Sequence, residues 1–226
     1  MNIALLEPLS VPDKIVAELS APLVEAGHSF KAFPTRTTDP NELRERAEGA
    51  DVVIIANTPF PASVIGALPK LKLVDVAFTG VDLVDIEACR NQGVTVCNCA
   101  GYSDAAVAEL VMGLTVDVLR RVPSGQQAVR DGGTSEGLMG TEIAGKTVGV
   151  IGTGRIGTRV ARLFSAFGAK VLGYARHPNP ACMDAGVSYR GLDALLAESD
   201  IVTLHLPLTE STRGFIDAEK IAAMKK

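Results

Sequence analysis

Three glycines, Gly152, Gly154 and Gly157, have the spacing that lets a polypeptide backbone bind a pyrophosphate. They follow an apolar run, Thr147 to Ile151, that is typical of a buried strand, and an amphipathic segment comes after them. In such a turn the first glycine allows the sharp bend, the second lets phosphates approach the backbone, and the third lets the helix pack on its strand. The helix start then directs unpaired N–H groups at the anion. The pattern predicts a dinucleotide site, and the alternative is a glycine-rich turn without a ligand.

The composition is that of an ordinary globular protein, and it argues against several classes of partner. Of the 226 residues, 47% are hydrophobic and 21% are charged, with a formal net charge of −4. A slightly acidic chain without Trp offers neither the positive surface nor the stacking platforms that nucleic acids need. The longest apolar helical segment contains Glu109 and Asp117, and no signal peptide is recognisable. We therefore expect a cytoplasmic protein with no nucleic-acid or membrane partner.

The four cysteines, Cys89, Cys97, Cys99 and Cys182, do not have the spacing of a zinc site. Cys97 and Cys99 lie in a strand-like run in which alternate residues share a face. Two small, half-buried side chains are a better interpretation of this pair than a metal or redox site. We expect no metal.

Alternating strand and helix signals divide the chain into two α/β units. Strand-like runs in the first unit occupy positions 2–7, 28–33, 51–57, 71–77 and 94–98, with helical segments between them. This alternation predicts a parallel sheet with helices on both faces. A second α/β run begins at Lys146, has further strands at 170–175 and 200–207, and ends in a short helix capped by Asp217.

A long helix, roughly from Asp104 to Val122, is predicted to connect the two units, with Ser103 as its N-cap. Its apolar residues recur at helical spacing, which indicates one apolar stripe. Small residues on its other faces, among them Ala108, suit a helix that packs on several sides. The members of the stripe are Val107, Leu110, Val111, Leu114 and Val118. A polar, glycine-rich loop is expected from 131 to 140.

Three segments together resemble the D-isomer-specific 2-hydroxyacid dehydrogenases. They are GVDLVDIEACRNQGVTVCNCAGYSDAAVAE (80–109), GKTVGVIGTGRIG (145–157) and SDIVTLHLPLTESTRGFI (199–216). The resemblance implies an α/β chain with a flavodoxin-like substrate domain at 1–100 and a Rossmann NAD(P)-binding domain at 101–226, with cofactor and substrate in the cleft between them. It also implies hydride transfer between a nicotinamide C4 and the C2 of a 2-keto or 2-hydroxy acid, and homodimerisation through the Rossmann domain and the connecting helix.

The resemblance also implies where a substrate would bind. The backbone near Phe78, Thr79 and Gly80 would hold the substrate carboxylate, because N–H groups in a tight turn bind anions well. For each of these residues, a plain turn at the end of a strand is the alternative. The segment 57–60 would form another wall of the cleft.

Cofactor-binding residues follow from the resemblance in the same way. They are Gly152, Gly154 and Gly157 in the loop, Arg155 and Ile156 against the pyrophosphate, and Leu206, Pro207 and Thr212 on the adenosine side. His205 lies in a strand among apolar neighbours, and the family's acid/base histidine belongs to a later motif. We therefore interpret His205 as structural or adjacent to the cofactor.

One departure from the family pattern concerns the choice of cofactor. An acidic residue about 20 positions beyond the glycines normally accepts hydrogen bonds from the adenosine ribose. Ala175 occupies that position here, and Arg176 follows it. Because an arginine can pair with a 2′-phosphate that an aspartate would repel, the cofactor is expected to be NAD(P) with a preference for NADPH. A solvated arginine without a ligand is the alternative.

A second departure concerns catalysis. The family's catalytic arginine, glutamate and histidine follow later strands, and the stretch that precedes the arginine begins here at Met224. All three are therefore expected beyond Lys226, and none can be assigned to a residue of this sequence. We expect little turnover of 2-hydroxy acids if 226 residues form the whole protein. A catalytically silent dinucleotide-binding protein, such as a sensor or corepressor, and an inert gene remnant are the alternatives.

The same reasoning predicts an incomplete Rossmann sheet. We expect the domain to stop after its third strand, so that the fourth strand of the usual order is missing. The strand at Thr147–Ile151 would then be an open edge with unpaired backbone groups.

Overall fold

Two parallel sheets organise the chain, one on each side of a division between Tyr102 and Ser103. The computed structural model describes residues 1–225, so Lys226 lies outside the described residues. The first unit has the strands β1 (Asn2–Leu5), β2 (Ser29–Ala32), β3 (Val52–Ile55), β4 (Leu73–Val76) and β5 (Thr95–Asn98), and the helices α1 (Asp13–Glu25), α2 (Pro40–Arg46), α3 (Ala62–Ile65) and α4 (Ile86–Gln92).

The first sheet has the order β2-β1-β3-β4-β5, with every pair parallel. This is the flavodoxin-like order, so the predicted fold class is confirmed. Val53 lies opposite Val74, and Ile55 lies opposite Val76. These four side chains are buried in one core because alternate strand residues point to the same face.

The second unit contains a four-stranded parallel sheet of order β8-β7-β6-β9. Its strands are β6 (Thr147–Ile151), β7 (Lys170–Tyr174), β8 (Ser188–Tyr189) and β9 (Ile201–Leu204), and its helices are α5 (Asp104–Arg120), α6 (Val122–Arg130), α7 (Arg155–Ala166), α8 (Pro180–Met183), α9 (Leu192–Glu198) and α10 (Ala218–Ala222). As predicted, Asp217 caps the last helix by accepting a hydrogen bond from the N–H of Lys220.

The expectation of a sheet that stops after three strands is wrong. The strand at 201–204 is the fourth, because the two-residue strand β8 precedes it. It pairs with β6, with Val148 opposite Ile201, so the strand Thr147–Ile151 is flanked on both sides and is not an open edge. β8 was missed because two residues are too few to show an alternating pattern.

The apolar stripe of α5 mostly faces outward, and the helix packs through a face that contains one of its small residues. Ala108 and Met112 are buried against α7, whereas Leu110, Leu114 and Val118 are 61%, 55% and 76% exposed. The small side chain of Ala108 allows the two helices to approach closely, so the slimmer face is the one that packs. No helix among the described residues has the length and apolar character needed to cross a membrane.

α5 also ends earlier than the sequence indicated. Arg121 has a left-handed backbone conformation with φ of 53°, which stops the helix, and α6 follows as a separate helix. Residues other than glycine, asparagine or aspartate seldom adopt this conformation. The local sequence signal for the break is Pro123, which lies in the first turn of α6 and could not continue α5.

Candidate functional site

The carboxyl ends of three strands come together at one edge of the second sheet. Gly152 follows β6, Ala175 follows β7 and His205 follows β9. The N–H of Gly152 donates to the carbonyl of Tyr174 at 2.8 Å, and the N–H of His205 donates to that of Ile151 at 2.7 Å. From β6 the chain builds β7 and β8 on one side and β9 on the other, which makes the β6–β9 boundary a topological switch point. Ligands of open α/β sheets bind at such points.

Each glycine of the loop has a different steric reason to be glycine. Gly152 has φ of +91°, and a Cβ there would collide with the carbonyl oxygen of His205. A Cβ on Gly157 would collide with the carbonyl oxygen of Gly152, so α7 starts in direct contact with the turn. A Cβ on Gly154 would have no described atom within 4 Å. The space next to Gly154 is therefore open to a ligand, which is what a pyrophosphate requires.

The start of α7 provides hydrogen-bond donors next to this space. Within residues 1–225, the N–H groups of Gly154, Arg155 and Ile156 have no protein acceptor. Unpaired N–H groups at a helix start, together with the helix dipole, form an anion site. The Arg155 guanidinium points elsewhere, because its Nε donates to Asp104 of α5 at 2.7 Å. Arg155 is thus placed at the loop by its backbone, while its side chain pairs with a carboxylate.

The residues predicted near the adenosine follow two strands: Ala175 and Arg176 follow β7, whereas Leu206, Pro207 and Thr212 follow β9. Ala175 and Arg176 lie directly after β7, and Arg176 is exposed. Leu206 packs into the core below the sheet edge, and one of its methyl groups lies against Gly152. Thr212 holds its own loop, because its Oγ1 donates to the carbonyl of Pro207 at 2.6 Å and accepts from the N–H of Thr209 at 2.8 Å.

His205 lies at this edge as a half-buried, neutral residue. Burial lowers the pKa of its imidazole below the ordinary value because the charged ring loses hydration. The Nε2 atom is 3.0 Å from the Oγ1 of Thr203. This environment agrees with the interpretation of His205 as a structural residue or one adjacent to the cofactor.

The family resemblance predicts the catalytic arginine, glutamate and histidine beyond Lys226. Lys226 lies outside the described residues, and the described chain ends at Lys225. Lys225 itself makes an ion pair, because its Nζ is 2.9 Å from the Oδ1 of Asp200. The location of the catalytic set therefore stays a prediction from the family resemblance.

The first unit has its own cavity at the carboxyl edge of its sheet. The cavity has a volume of about 440 Å³. It lies where loops leave β1, β2, β3 and β4, and its lining comprises Glu7, Pro8, Leu9, Ser10, Arg36, Ala56, Asn57, Ala77, Phe78 and Tyr102. Because the chain proceeds from β1 to β2 on one side and to β3 on the other, this edge also contains a topological switch point.

Glu7 is the main polar anchor of that cavity, and sequence reasoning missed it. Its Oε1 accepts hydrogen bonds of 2.7, 2.8 and 2.8 Å from the N–H groups of Ala56, Asn57 and Thr58, and its Oε2 pairs with Arg36 at 2.9 Å. Burial alone would raise the pKa of Glu7, but the hydrogen bonds outweigh burial and hold it below its ordinary value of 4.5. The available signal was a carboxylate directly after the first apolar strand.

The loop predicted to bind a substrate carboxylate is only partly available for that role. The N–H of Phe78 donates to the carbonyl of Val76 at 2.7 Å, so it is already used. The ring of Phe78 lines the cavity beside Tyr102, with ring centroids 6.2 Å apart. Thr79 and Gly80 follow in the same turn, and the carbonyl of Thr79 accepts from the Nδ2 of Asn98 at 2.6 Å. Of the segment 57–60, Asn57 lines the cavity and Phe60 is fully buried.

Comparison with known proteins identifies the family to which the chain belongs. Residues 112–226 match the model of the D-isomer specific 2-hydroxyacid dehydrogenase, NAD binding domain. The match covers half of the chain. The chain belongs to the D-isomer-specific 2-hydroxyacid dehydrogenase family.

Individual relatives and solved structures resemble the chain along nearly its whole length. Glycerate dehydrogenase of Methylorubrum extorquens is 35% identical over 221 residues, which are 95% of this chain and 66% of that protein. D-lactate dehydrogenase of Aquifex aeolicus, solved with NAD and lactic acid, is 30% identical with a TM-score of 0.86 over 100% of this chain and 66% of that one. An acyclic imino acid reductase solved with NADPH and D-Arg is 26% identical with a TM-score of 0.88, over 100% of this chain and 71% of that one. The chain thus spans about two-thirds of the length of these relatives.

The packing role of Gly157 and the phosphate-binding role of Gly154 can be separated by mutation. Gly157→Ala should lower the free energy of unfolding by about 1–3 kcal/mol, because the new methyl group must displace the Gly152 carbonyl. Gly154→Ala should leave stability nearly unchanged, because the methyl group enters open space, yet weaken dinucleotide binding at least about tenfold by occupying the phosphate position. Thermal unfolding and calorimetric titration of both variants test this, and a stable Gly154→Ala variant with unchanged affinity would contradict it.

Glu7 should make stability depend on pH in the acid range. Its pKa is lower in the folded state than in the unfolded state, so its contribution is complete well above pH 4.5 and disappears as the pH falls through the folded-state pKa. Glu7→Gln should therefore cost about 2–4 kcal/mol at pH 7 and much less near pH 3. Urea unfolding of both proteins at several pH values measures the difference. A constant difference across that range would contradict the assignment.

Proposed function

We propose that this protein is an NAD(P)-dependent oxidoreductase that transfers a hydride between the nicotinamide ring and the C2 of a 2-keto or 2-hydroxy acid. The observation that carries the proposal is the glycine loop, in which open space at Gly154 adjoins the unpaired N–H groups of α7. Membership of a family of dehydrogenases supports the reaction class. We also propose a cytoplasmic location, where the four free cysteines would remain reduced.

The second unit would bind the cofactor, and its described residues fit that group. The N–H groups of Gly154, Arg155 and Ile156 would bind the pyrophosphate, while Leu206 and Pro207 would border the adenosine. The nicotinamide of the bound cofactor supplies or accepts the hydride. The chain's part is to bind and orient the dinucleotide, and the neutral His205 adds no positive charge at this edge.

The first unit would bind the substrate. In this proposal the backbone of Thr79 and Gly80 binds the carboxylate, and the cavity beside Phe78 and Asn57 accepts the rest of the molecule. Glu7 stabilises the loop at Asn57 by accepting hydrogen bonds from the N–H groups of Ala56, Asn57 and Thr58. Because Arg36 neutralises Glu7, the ion pair adds little net charge to the cavity.

The proposal assigns no catalytic acid or base to a residue of this chain. The alternative of a catalytically silent dinucleotide-binding protein is not favoured, because the relatives that the chain resembles are named as enzymes.

We further propose that NADPH is preferred over NADH and that Arg176 determines the preference. Ala175 places no carboxylate where one would repel a 2′-phosphate. Among the described residues, the guanidinium of Arg176 makes no hydrogen bond or ion pair, so it is available to a ligand. A guanidinium binds a phosphate through two parallel hydrogen bonds. The similar solved structures include one with NADPH and one with NAD, so the proposed preference rests on Ala175 and Arg176.

Removing the arginine tests the preference. Arg176→Ala should weaken NADPH binding about 10- to 100-fold, the loss expected for a charged hydrogen-bonded contact. NADH binding should change less than about twofold, because NADH has no 2′-phosphate. Calorimetric titration of the purified chain with each cofactor gives both values, and Arg130→Ala, at an exposed arginine of α6, is the matched control. Equal affinity of the unmodified protein for both cofactors would refute the proposal.

We propose that two copies of the chain associate through α5. Leu110, Leu114 and Val118 form an exposed apolar row on this helix, and packing against a second copy would bury them. The row belongs to the helix through which the family resemblance implies dimerisation. Val122 and Val129 of the neighbouring α6 are exposed as well.

A charge placed in this row should separate the copies. Leu114→Glu should raise the dimer dissociation constant at least about tenfold, because it buries an unpaired carboxylate in the interface. Light scattering after gel filtration measures the mass over a range of concentrations. Leu19→Glu, at a similarly exposed leucine on α1, is the control and should leave the mass unchanged. A Leu114→Glu protein that remains dimeric would exclude this face.

A further inference from the structure

A hydrogen-bond network joins the glycine loop to the loop that follows β7. The Oη of Tyr189 donates to the Oγ1 of Thr153 at 2.6 Å and accepts from the N–H of Asn179 at 2.8 Å. The Nδ2 of Asn179 donates to the carbonyl of Thr153 at 2.8 Å and to the Oγ1 of Thr158 at 3.1 Å. Three segments that are distant in sequence therefore meet at Thr153, which lies between Gly152 and Gly154.

The network holds the far end of the Ala175–Asn179 loop. The Oδ1 of Asn179 accepts from the N–H of Ala181 at 3.1 Å and so caps α8, while its other polar groups bind Tyr189, Thr153 and Thr158. The near end of the loop is held by β7, whose last carbonyl, at Tyr174, accepts from Gly152. Arg176 therefore lies in a short loop that is anchored at both ends to the glycine loop.

We propose that Asn179, Thr153 and Tyr189 form a clamp that positions Arg176 for the 2′-phosphate of NADPH. This inference rests on the proposed preference for NADPH. The pyrophosphate and the 2′-phosphate belong to one ligand, so the two groups that bind them must be held at a fixed separation. A clamp that ties the two loops together reduces the ordering cost that would otherwise weaken binding. The three residues are positioning residues, because they act on the ligand through Arg176 and not by contact.

A double-mutant cycle tests whether the clamp acts through Arg176. The proteins are the unmodified chain, Tyr189→Phe, Arg176→Ala and the double variant, each titrated with NADPH and with NADH. Tyr189→Phe keeps the ring and removes only the hydroxyl group. It should raise the Kd for NADPH about fivefold when Arg176 is present and less than about twofold when Arg176 is alanine. The Kd for NADH should change less than about twofold in both backgrounds.

Two further variants provide a second test and a control. Asn179→Ser keeps an oxygen that can cap α8 but loses both Nδ2 bonds, so it should reproduce the selective loss for NADPH. Ser165→Ala, which removes a hydrogen bond to the carbonyl of Ala185 elsewhere on α7, should change neither Kd. Thermal unfolding of each variant shows whether it is folded at the titration temperature.

The possible outcomes separate the clamp from the cofactor proposal. Equal losses for Tyr189→Phe in both Arg176 backgrounds would overturn the clamp, because a purely structural role weakens binding without regard to Arg176. If Arg176→Ala weakens NADPH binding but Tyr189→Phe does not, the clamp alone is wrong. If Arg176→Ala leaves NADPH binding unchanged, the cofactor preference fails and the clamp fails with it.

Discussion

The contact between the carbonyl oxygen of Gly152 and the α-carbon of Gly157 is the constraint on which the cofactor edge depends. No side chain fits between them, so α7 begins directly against the turn that leaves β6. This close packing directs the first N–H groups of α7 to the open space beside Gly154. The same turn brings Gly152 against His205, so the end of β9 is fixed at the site as well. The absence of side chains at these two glycines is thus what allows the turn to form an anion site.

In the first unit a charged side chain, that of Glu7, stabilises a loop at the carboxyl edge of the sheet. Its loop after β3 has three backbone N–H groups that point inward and need an acceptor, and Glu7 provides it from the end of the neighbouring strand. An uncompensated buried carboxylate would be costly, but three donors and Arg36 satisfy it. The second unit therefore forms its carboxyl edge with glycines, which have no side chain. The first unit forms its edge around the buried, hydrogen-bonded carboxylate of Glu7.

Much of the fold could be read from the sequence because its signals are local. The apolar run before Gly152 and the glycine spacing identify β6, its turn and α7 without any distant information. β8 could not be found in this way, since Ser188 and Tyr189 are a strand only because β7 lies beside them. The orientation of α5 could be predicted only in part. Its periodicity located an apolar row correctly, but which face packs on α7 depends on how closely the helices approach, and the small Ala108 decided that.

The two arginines of the site also show what the sequence alone could not predict. Arg155 and Arg176 both lie next to the cofactor edge in sequence, and both were candidates to bind phosphate. Arg155 pairs with Asp104, which is 51 positions away, whereas Arg176 has no partner among the described residues. An exposed ion pair such as this one contributes little to stability, so its effect is mainly to direct Arg155 toward α5. The loop with the unpaired arginine is the one that Asn179 and Tyr189 tie to Thr153. A loop hydrogen-bonded at both ends and an available charge therefore coincide at Arg176, and only the folded arrangement reveals that coincidence.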